Sequence, residues 1–396
     1  AHGVSAVITM VGASAPSHIY PGLALMRELV RRGHRVRYAV GERLVPLVAS
    51  TGVEPIAHPT LLPGAGGPLE EWPEDVMQAM TIFLDEGIAV LPRLLDAHHD
   101  GAPDLVLYDI GGLAGPVAAA RWGVPAVQLS PAHVAWEGYE DDNAETLAHI
   151  WSLPGADDYG RRYTEWLRVN GIDRSFRDVM GRPERCIALI PRAMQPHADR
   201  VRADIPFVGP CLDPARLVDA GWGPPPDGRP LVYVAFGTAY TEQVEVYRAC
   251  IEAFAGTGWR VLIAVGDRVD PAALDPLPEG FEVRRRAPQT VVLQYARAFI
   301  THAGMGSCAE ALWFGVPTVA IPQAVDQFAN ADRLVELGVG RRLSTEDVTA
   351  DGLRAAVTAV ADDPAIAARV AALRAEVRAA GGVDRAAGAV EAYLTA

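Results

Sequence analysis

Short apolar runs alternate with amphipathic stretches from the start of the chain. Residues 4–11 and 34–40 are apolar enough for buried strands. Between them, Leu23, Met26 and Leu29 recur at helical spacing, and the helix that they predict ends at a glycine. A strand, a turn of small residues, a helix and a second strand predict the beginning of a doubly wound parallel sheet.

The same alternation continues to the end of the chain, as expected for an α/β protein. Further apolar runs predict strands at residues 104–109, 231–236, 260–265, 281–286, 298–301 and 316–322. Periodic runs predict helices at residues 75–95, 157–170, 349–361, 364–380 and 384–395.

Two stretches share one plan. Residues 109–131 and 302–323 each contain a polar residue, a glycine turn, a helix, an aromatic residue before Gly-Val-Pro, and a strand. Either a recurrent strand–helix–strand idiom or an internal duplication explains the likeness. In both cases the chain contains two sheets built alike, each with a polar residue at the end of a strand.

The length of 396 residues exceeds one ordinary core and predicts two domains. Residues 207–228 are rich in proline and glycine, which is typical of a linker. We expect an N-terminal domain at 1–212, a linker at 213–228, a second domain at 229–380 and a C-terminal helix at 381–396.

Composition narrows the function classes. A net charge of −14 makes a nucleic-acid partner unexpected. No apolar window approaches transmembrane length and the first residues lack a signal pattern, so we expect no membrane span and a cytoplasmic location. All 35 basic residues are arginine, which excludes a P-loop lysine, a pyridoxal Schiff base and a lysine nucleophile. The cysteines, scattered without a close pair, argue for a reducing compartment and against a zinc site: Cys186, Cys211, Cys250 and Cys308.

Residues 298–330 combine a strand, a glycine turn, a helix and a second strand, with polar residues only at the junctions. Ser307 and Glu310 have capping-box spacing. A helix start at the end of a parallel strand presents unpaired N–H groups and a positive dipole end, so Gly304, Gly306 and Ser307 could bind a diphosphate without a metal. A Gly-x-Gly turn taken alone would be a structural helix start.

Other polar residues follow predicted strands of the second half. Thr238 follows the strand at 231–236, where a hydroxyl and backbone N–H groups can meet phosphate, and Gly266 follows the next strand. Asp326 and Gln327 stand at a later strand-to-helix junction. A carboxylate and an amide in this position suit the hydroxyls of a sugar.

The first half offers candidates at the corresponding places. His18 lies just before a helix whose predicted first turn contains Pro21. It stands beyond the carboxyl end of the first strand, where open α/β sheets bind ligands, and is either a helix-entry histidine or a catalytic one. Asp109 ends its own apolar strand and is either a surface carboxylate or a residue aimed at the same region.

Residues 130–142 combine His133, Trp136 and Tyr139 with an acidic run. They predict either a packed loop with a solvated tail or, together with the helix at 157–170, the wall of an apolar pocket.

The combined signature of residues 302–307, Glu310, residues 322–323 and residues 326–327 resembles that of a known family. It is similar to the donor signature of UDP-sugar-dependent inverting glycosyltransferases of the two-lobed GT-B type, and most similar to the bacterial macrolide glucosyltransferases. The likeness extends over nearly the whole chain. It implies two facing doubly wound, Rossmann-like lobes, an active site in the cleft between them, and a last helix that crosses back onto the first lobe.

The resemblance also implies residue roles in the first lobe. His18 would be the general base, and Asp109 would orient it and stabilise its imidazolium. The family's His-Gly-His-Val-Asn-Pro is replaced here by the sequence of residues 15–21, in which Tyr20 takes the place of the asparagine on the acceptor side.

In the second lobe, residues 286–289 resemble the nucleobase segment Trp-x-Pro-Gln, with Arg286 in place of the tryptophan and Gln289 kept. A guanidinium can stack on a base, but the preference for uridine over thymidine is then open. His302 would stabilise the departing diphosphate together with Thr238 and the helix start. Glu310 would bind the ribose, and the pair at 326–327 would bind the sugar.

We therefore expect metal-independent, inverting transfer of a sugar, foremost glucose from UDP-glucose, to a hydroxyl of a macrolide or other polyketide. The nucleotide sugar is a co-substrate and no cofactor is expected. The partners would be this donor and an apolar aglycone, with a homodimer left open. Transfer would either build an antibiotic or inactivate one.

Four alternatives remain at this point. They are a dTDP-deoxysugar-dependent glycosyltransferase of antibiotic biosynthesis, a nucleotide-sugar epimerase on the same fold, a two-lobed sugar-binding protein and a nicotinamide-dependent oxidoreductase. The last is disfavoured because the first turn lacks G-x-G-x-x-G spacing.

Overall fold

The computed structural model describes residues 5–218, 221–324 and 326–395. Within these ranges the chain divides into two compact units. The first unit is drawn from Ala1–Leu189, Gln195–Cys211 and Gly382–Ala396, and the second from Ile190–Met194 and Leu212–Gly381.

The first unit is built on one parallel sheet covered by helices. Its strands are β1 (Val7–Val11), β2 (Arg35–Gly41), β3 (Glu54–His58), β4 (Leu105–Asp109), β5 (Ala126–Ser130) and β6 (Cys186–Ala188). Its helices in the first half of the chain are α1 (Pro16–Arg31), α2 (Val45–Ala49), α3 (Val76–Ala97), α4 (Ala114–Trp122), α5 (Tyr139–Asp142), α6 (Ala144–Ser152), α7 (Ala156–Val169) and α8 (Phe176–Gly181).

The described strands of this sheet follow the order β3-β2-β1-β4-β5-β6. Ile8 of β1 pairs in parallel with Val36 of β2 on one side and with Leu105 of β4 on the other. This is the 3-2-1-4-5-6 order of the doubly wound nucleotide-binding fold, in which the strand order reverses between β1 and β4. All five residues of β4 are buried, as expected for a strand covered on both faces.

The second unit repeats this plan. Its strands are β7 (Leu231–Ala235), β8 (Arg260–Ala264), β9 (Phe281–Arg284), β10 (Ala296–Thr301), β11 (Thr318–Ala320) and β12 (Gly340–Arg342). Its helices are α9 (Val244–Phe254), α10 (Gln289–Val292), α11 (Met305–Phe314), α12 (Gln327–Glu336), α13 (Ala350–Asp362) and α14 (Pro364–Ala379). The strand order β12-β11-β10-β7-β8-β9 is again 3-2-1-4-5-6 when counted from β7, so the switch point lies between β7 and β10.

The last helix, α15 (Gly382–Leu394), returns to the first unit. Its residues Ala386, Ala387 and Val390 are buried in the core that contains β1 and α1. Glu391 of α15 accepts hydrogen bonds from Arg32 at 2.8 Å and from His34 at 3.0 Å. The helix that was expected to cross back to the first lobe is therefore confirmed.

The two doubly wound sheets are confirmed, and most predicted elements are present with ends shifted by a few residues. Residue 4, where the first strand was predicted to begin, lies outside the described residues, and β1 begins at Val7. The predicted start of α1 was wrong: Pro16 is its first residue, so His18 lies inside the first turn and Pro21 lies in the helix interior. Proline at the first position costs no hydrogen bond, which explains the earlier start.

Among the described helices, none combines the length and the apolar composition needed to cross a membrane.

Candidate functional site

His18 and Asp109 meet at the switch point of the first sheet. His18 is the third residue of α1, which follows β1, and Asp109 is the last residue of β4. His18 Nδ1 lies 2.8 Å from Asp109 Oδ2. An ionised carboxylate can only accept, so the Nδ1 proton is donated to Asp109 and the lone pair of the neutral ring resides on Nε2. The His18 side chain is 26% exposed and that of Asp109 is 3% exposed.

The segment from the last residue of β4 to the start of α4, residues 109–113, is called the aspartate turn below. Its Gly111 N–H donates to the same Asp109 oxygen at 2.7 Å. A Cβ at Gly111 would lie 2.8 Å from Ala13 Cβ, in the loop before α1. Only glycine allows this approach, which brings the turn against the loop that leads to His18.

An apolar surface lies beside this pair. A Cβ at Gly111 would also be 2.9 Å from Phe83 Cε1 of α3, which places this ring against the aspartate turn. Trp72 stacks on Phe83 with ring centroids 5.2 Å apart and is 41% exposed. Tyr20, two residues beyond His18, and Leu69 are exposed as well. Sequence reasoning missed Trp72 and Phe83; the signal was an indole in a loop otherwise rich in proline, glycine and glutamate.

The aromatic residues predicted at 130–142 form a local cluster. Trp136 is buried, donates its Nε1–H to Asp142 at 2.7 Å, and contacts the Tyr139 ring at 4.9 Å and the His197 ring at 4.8 Å. His133 is partly buried in the same loop. Their role in acceptor binding stays a prediction.

In the second unit, His302 occupies the switch point. It follows β10, and Gly237 follows β7. A Cβ at Gly237 would lie 2.6 Å from His302 Nε2, and one at Gly304 would lie 2.5 Å from the same atom. The imidazole is therefore held between two glycine backbones, and neither position has room for a side chain.

Burial decides the charge of His302. It lowers the pKa of the imidazole to about 4, so the ring is neutral near pH 7. Its buried Nδ1 has no hydrogen-bond partner among the described residues. A buried nitrogen without a hydrogen-bond partner costs folding free energy, and a bound ligand can supply the missing hydrogen bond at this position.

The turn from His302 to Gly304, called the histidine turn below, contains a strained residue. Ala303 has a φ of 64°, which side-chain-bearing residues rarely adopt. Two buried side chains hold it: Thr301 Oγ1 accepts from the Ala303 N–H at 3.1 Å, and Asn330 Nδ2 donates to the Ala303 carbonyl at 3.0 Å.

Helix α11 begins directly after this turn. Its N-cap residue is Gly304 in an extended conformation, and no side chain caps it. The predicted capping box was wrong, because Ser307 is the third residue of the helix and its Oγ accepts from Gln289 at 3.3 Å. Gly306 faces open space at its Cβ position. The first-turn N–H groups are thus available to an anion.

Gln289 of α10 connects the residues predicted to bind the nucleoside. Its Nε2 donates to Glu310 Oε2 at 2.8 Å, and its Oε1 accepts from the Tyr233 hydroxyl at 3.3 Å. Burial raises the pKa of Glu310, and the Gln289 hydrogen bond partly offsets this rise.

Arg286 is exposed and donates to both carboxylate oxygens of Asp267. This ion pair holds the pKa of Asp267 below its usual range. Gly266, just before it, has a φ of 75°, and a Cβ there would lie 2.7 Å from Thr241 Oγ1. Thr238 is exposed in the turn after β7.

The two residues predicted to bind the sugar, Asp326 and Gln327, differ in burial and in hydrogen bonding. Asp326 is exposed at the start of α12. Gln327 is buried, and its Oε1 accepts the N–H groups of Gln323 at 2.8 Å and of Ala324 at 3.1 Å. The Gln327 oxygen is therefore used by the backbone, which leaves the amide N–H₂ as the group suited to a ligand.

No group of three or more histidine, cysteine, aspartate or glutamate side chains suited to a metal ion occurs in the part of the chain that the structure describes.

Comparison with known proteins agrees with the fold. Residues 253–391 match the family model described as erythromycin biosynthesis protein CIII-like, C-terminal domain. Oleandomycin glycosyltransferase of Streptomyces antibioticus is 43% identical, covering 98% of this chain and 91% of that protein. NDP-glycosyltransferase YjiC of Bacillus licheniformis is 35% identical, covering 98% of this chain and 97% of that protein.

Among solved structures, the glycosyltransferase of kitacinnamycin superposes with a TM-score of 0.90 at 38% identity and covers 99% of both chains. The chain therefore belongs to the family of macrolide and other natural-product glycosyltransferases with the GT-B fold. The predicted enzyme class is confirmed.

Proposed function

We propose that the protein transfers glucose from UDP-glucose to a hydroxyl of a macrolide or similar polyketide, with inversion at the anomeric carbon and without a metal ion. The observation that carries this proposal is the 2.8 Å hydrogen bond between His18 and Asp109 at the switch point of the first sheet. A histidine held in this way is suited to act as the general base that takes a proton from an alcohol.

In the proposed reaction, His18 Nε2 takes the proton of the acceptor hydroxyl while that oxygen attacks the anomeric carbon. The bond from the anomeric carbon to the diphosphate oxygen breaks in the same step, and attack opposite the leaving group inverts the configuration. Asp109 stabilises the imidazolium that forms. A positioned base contributes roughly 10²- to 10⁴-fold to the rate.

The leaving diphosphate carries the developing negative charge. We assign it to the start of α11, where the uncapped N–H groups and the helix dipole favour an anion. His302 and Thr238 stand at the ends of the two strands that flank this point. Gln289 and Glu310 suit the ribose, and Arg286 suits a nucleobase face.

For the acceptor we assign the surface of Phe83 and Trp72, because Phe83 lies against the aspartate turn and Trp72 stacks on Phe83. An exposed indole stacked on a second ring suits an apolar aglycone such as a macrolide. Tyr20, His133, Trp136 and Tyr139 remain predicted parts of this region.

The chemistry of two side chains supports the proposed donor sugar. Asp326 accepts hydrogen bonds from sugar hydroxyls, whereas Gln327 donates one, because its oxygen is used by the loop. A deoxysugar that lacks these hydroxyls cannot donate to Asp326, so we expect it to be the poorer donor.

The test is a mass-spectrometric screen of UDP-glucose and dTDP-deoxysugars against a panel of polyketide aglycones, with the anomeric configuration of each product read by NMR. We expect UDP-glucose to be the best donor and the new linkage to be β. If none of the nucleotide sugars yields a product, the proposal is overturned. If the α configuration is retained in the product, the proposed inverting mechanism is overturned.

A second measurement compares Asp326→Ala with the parent enzyme on both donors. We expect the turnover of UDP-glucose to fall and that of any accepted deoxysugar to change little. An equal loss on both donors, or a deoxysugar that is the better substrate, would remove the assignment of this carboxylate to glucose hydroxyls.

A further inference from the structure

Asn330 lies on α12, and its side chain joins two parts of the donor region that are far apart in sequence. Its Nδ2 donates to the Ala303 carbonyl at 3.0 Å and to Asp326 Oδ2 at 3.3 Å. The first contact belongs to the histidine turn, and the second to the carboxylate assigned above to the sugar. Asn330 is completely buried.

Both neighbours of the amide nitrogen are oxygen atoms that can only accept. The opposite amide orientation would place Asn330 Oδ1 against a carbonyl and a carboxylate, so only the observed one is compatible with them. In it, Oδ1 is buried and has no partner among the described residues. The amide is thus held by its two N–H bonds at the expense of its own oxygen.

The histidine turn depends on this contact. Ala303 is in a left-handed conformation that alanine avoids, and such strain persists only where neighbouring groups enforce it. Thr301 holds the turn through the Ala303 N–H and Asn330 holds it through the Ala303 carbonyl. Thr301 is likewise completely buried, but no hydrogen bond joins Thr301 to Asp326 among the described residues.

We propose that Asn330 is a positioning residue that ties the histidine turn to Asp326, so that the diphosphate and the sugar of the donor are recognised as one unit. This inference rests on the proposed function, in which these two places bind those two parts of the donor. Asn330 itself touches neither part; it acts through Ala303 and Asp326.

The experiment measures the dissociation constants of UDP and of UDP-glucose by titration calorimetry, because the two ligands differ only in the sugar. Asn330→Asp keeps the size of the side chain. As a carboxylate it donates to neither oxygen and repels Asp326, and when burial protonates it, its single O–H can donate to only one of the two oxygens. We expect it to weaken UDP-glucose about 5- to 10-fold more than it weakens UDP, the magnitude of coupling between contacting groups.

Two backgrounds separate positioning from a merely structural role. In Asp326→Ala protein, Asn330→Asp should weaken UDP and UDP-glucose by the same factor, because the carboxylate through which it reaches the sugar is gone. Thr301→Val is the matched control: it removes support from the same turn without a link to Asp326, and should weaken both ligands equally in either background.

If Asn330→Asp does not fold, as judged by thermal unfolding, Asn330→Ala takes its place with the same expected pattern. Equal losses for both ligands in the parent background, or an excess loss on UDP-glucose that persists without Asp326, would overturn the positioning role and leave the proposed function standing. If the unaltered enzyme forms no product from any nucleotide sugar, the proposed function is wrong, and this inference is wrong with it.

Discussion

The aspartate turn connects β4 to α4, and the histidine turn connects β10 to α11. They occupy the same place in two strand–helix–strand segments of the same plan, β4–α4–β5 and β10–α11–β11. Both helices end alike, at Gly123 with a φ of 67° and at Gly315 with a φ of 69°. Their beginnings differ. Asp109 receives hydrogen bonds from His18 and from its own turn, whereas His302 Nδ1 has no partner among the described residues.

Under the proposed function, the two turns serve two different tasks. A buried carboxylate must be paired, and the pairing of Asp109 inside the protein fixes the orientation of a base before any substrate arrives. The histidine turn instead combines a neutral ring with an uncapped helix start, whose N–H groups can bind an anion. Under the proposed function, one turn serves proton transfer and the other serves ligand binding.

The largest effect is expected for His18→Ala, which tests whether the two turns have separate roles. Because the base is lost while the donor groups of the second unit are untouched, we expect the turnover number to fall roughly 10²- to 10⁴-fold. The affinity for UDP, measured by calorimetry, should stay within a factor of about 2 of the parent.

Asp109→Asn is the companion variant. Its amide can no longer stabilise the imidazolium, so turnover should fall while UDP affinity is again kept. A parallel loss of UDP affinity in either variant would contradict the division of tasks and make His18 a structural residue.

The pH dependence of stability should have opposite signs at two buried groups, one in each unit. Burial raises the pKa of Glu86, on α3, from 4.5 to about 7, although the Thr60 hydroxyl donates to it. The unfolded chain ionises first as pH rises from about 4.5 to about 7, so stability falls over this window by up to about 3 kcal/mol.

His302 behaves in the opposite way, because its pKa is lowered from 6.5 to about 4. The unfolded chain takes up the proton first as pH falls from about 6.5 to about 4, and stability falls in that direction by a similar amount, about 3 kcal/mol.

Urea unfolding across pH 4 to 8 measures both slopes. Glu86→Gln should flatten the fall toward high pH, and His302→Gln should flatten the fall toward low pH, since neither amide titrates. Slopes unchanged by these substitutions would show that other groups carry the pH dependence.

Glycine substitutions test the two turns at closer range. Gly304→Ala places a Cβ 2.5 Å from His302 Nε2 and should displace the ring, with a loss of UDP affinity of roughly 10- to 100-fold. Gly111→Ala places a Cβ 2.8 Å from Ala13 Cβ and should lower turnover with UDP affinity unchanged.

Gly306→Ala is the matched control for the histidine turn, because its Cβ meets open space. The melting temperature should not fall, since alanine favours a helix more than glycine does. A fall in UDP affinity at unchanged stability would locate the diphosphate at this point of the helix start. Equal effects of the Gly304 and Gly306 substitutions on stability would contradict the packing around His302.

The smallest effect is expected at Asp267. Its pair with Arg286 is largely exposed, and such pairs contribute little, so Asp267→Asn should weaken UDP by no more than about 3-fold. The ratio of UDP to dTDP affinity is the useful measurement: a changed ratio would place Arg286 at the base, and an unchanged ratio would place it at the surface only.

The sequence by itself determined the α/β class, the two repeated sheets and the location of the donor signature. Parallel strands buried on both faces leave long apolar runs, and glycines must stand where a strand turns sharply into a helix. These signals are local, so the positions of residues such as Asp109, His302 and Gly304 at strand ends could be predicted from the sequence, whereas their roles were implied by the resemblance to a known family. Short elements such as β3, β6 and β12 escaped, because strands of three to five residues leave little periodic signal.

Tertiary structure alone decided which polar groups meet. His18 and Asp109 are 91 positions apart in sequence, and Ala303 and Asn330 are 27 positions apart. Each pair meets only because parallel strands bring their carboxyl ends to one edge of each sheet. The same folding stacked Trp72 on Phe83, drew the Gln327 oxygen to the backbone and made His302 neutral by burial. Hydrogen-bond partners and burial depend on contacts between distant segments, and no local pattern of residues encodes them.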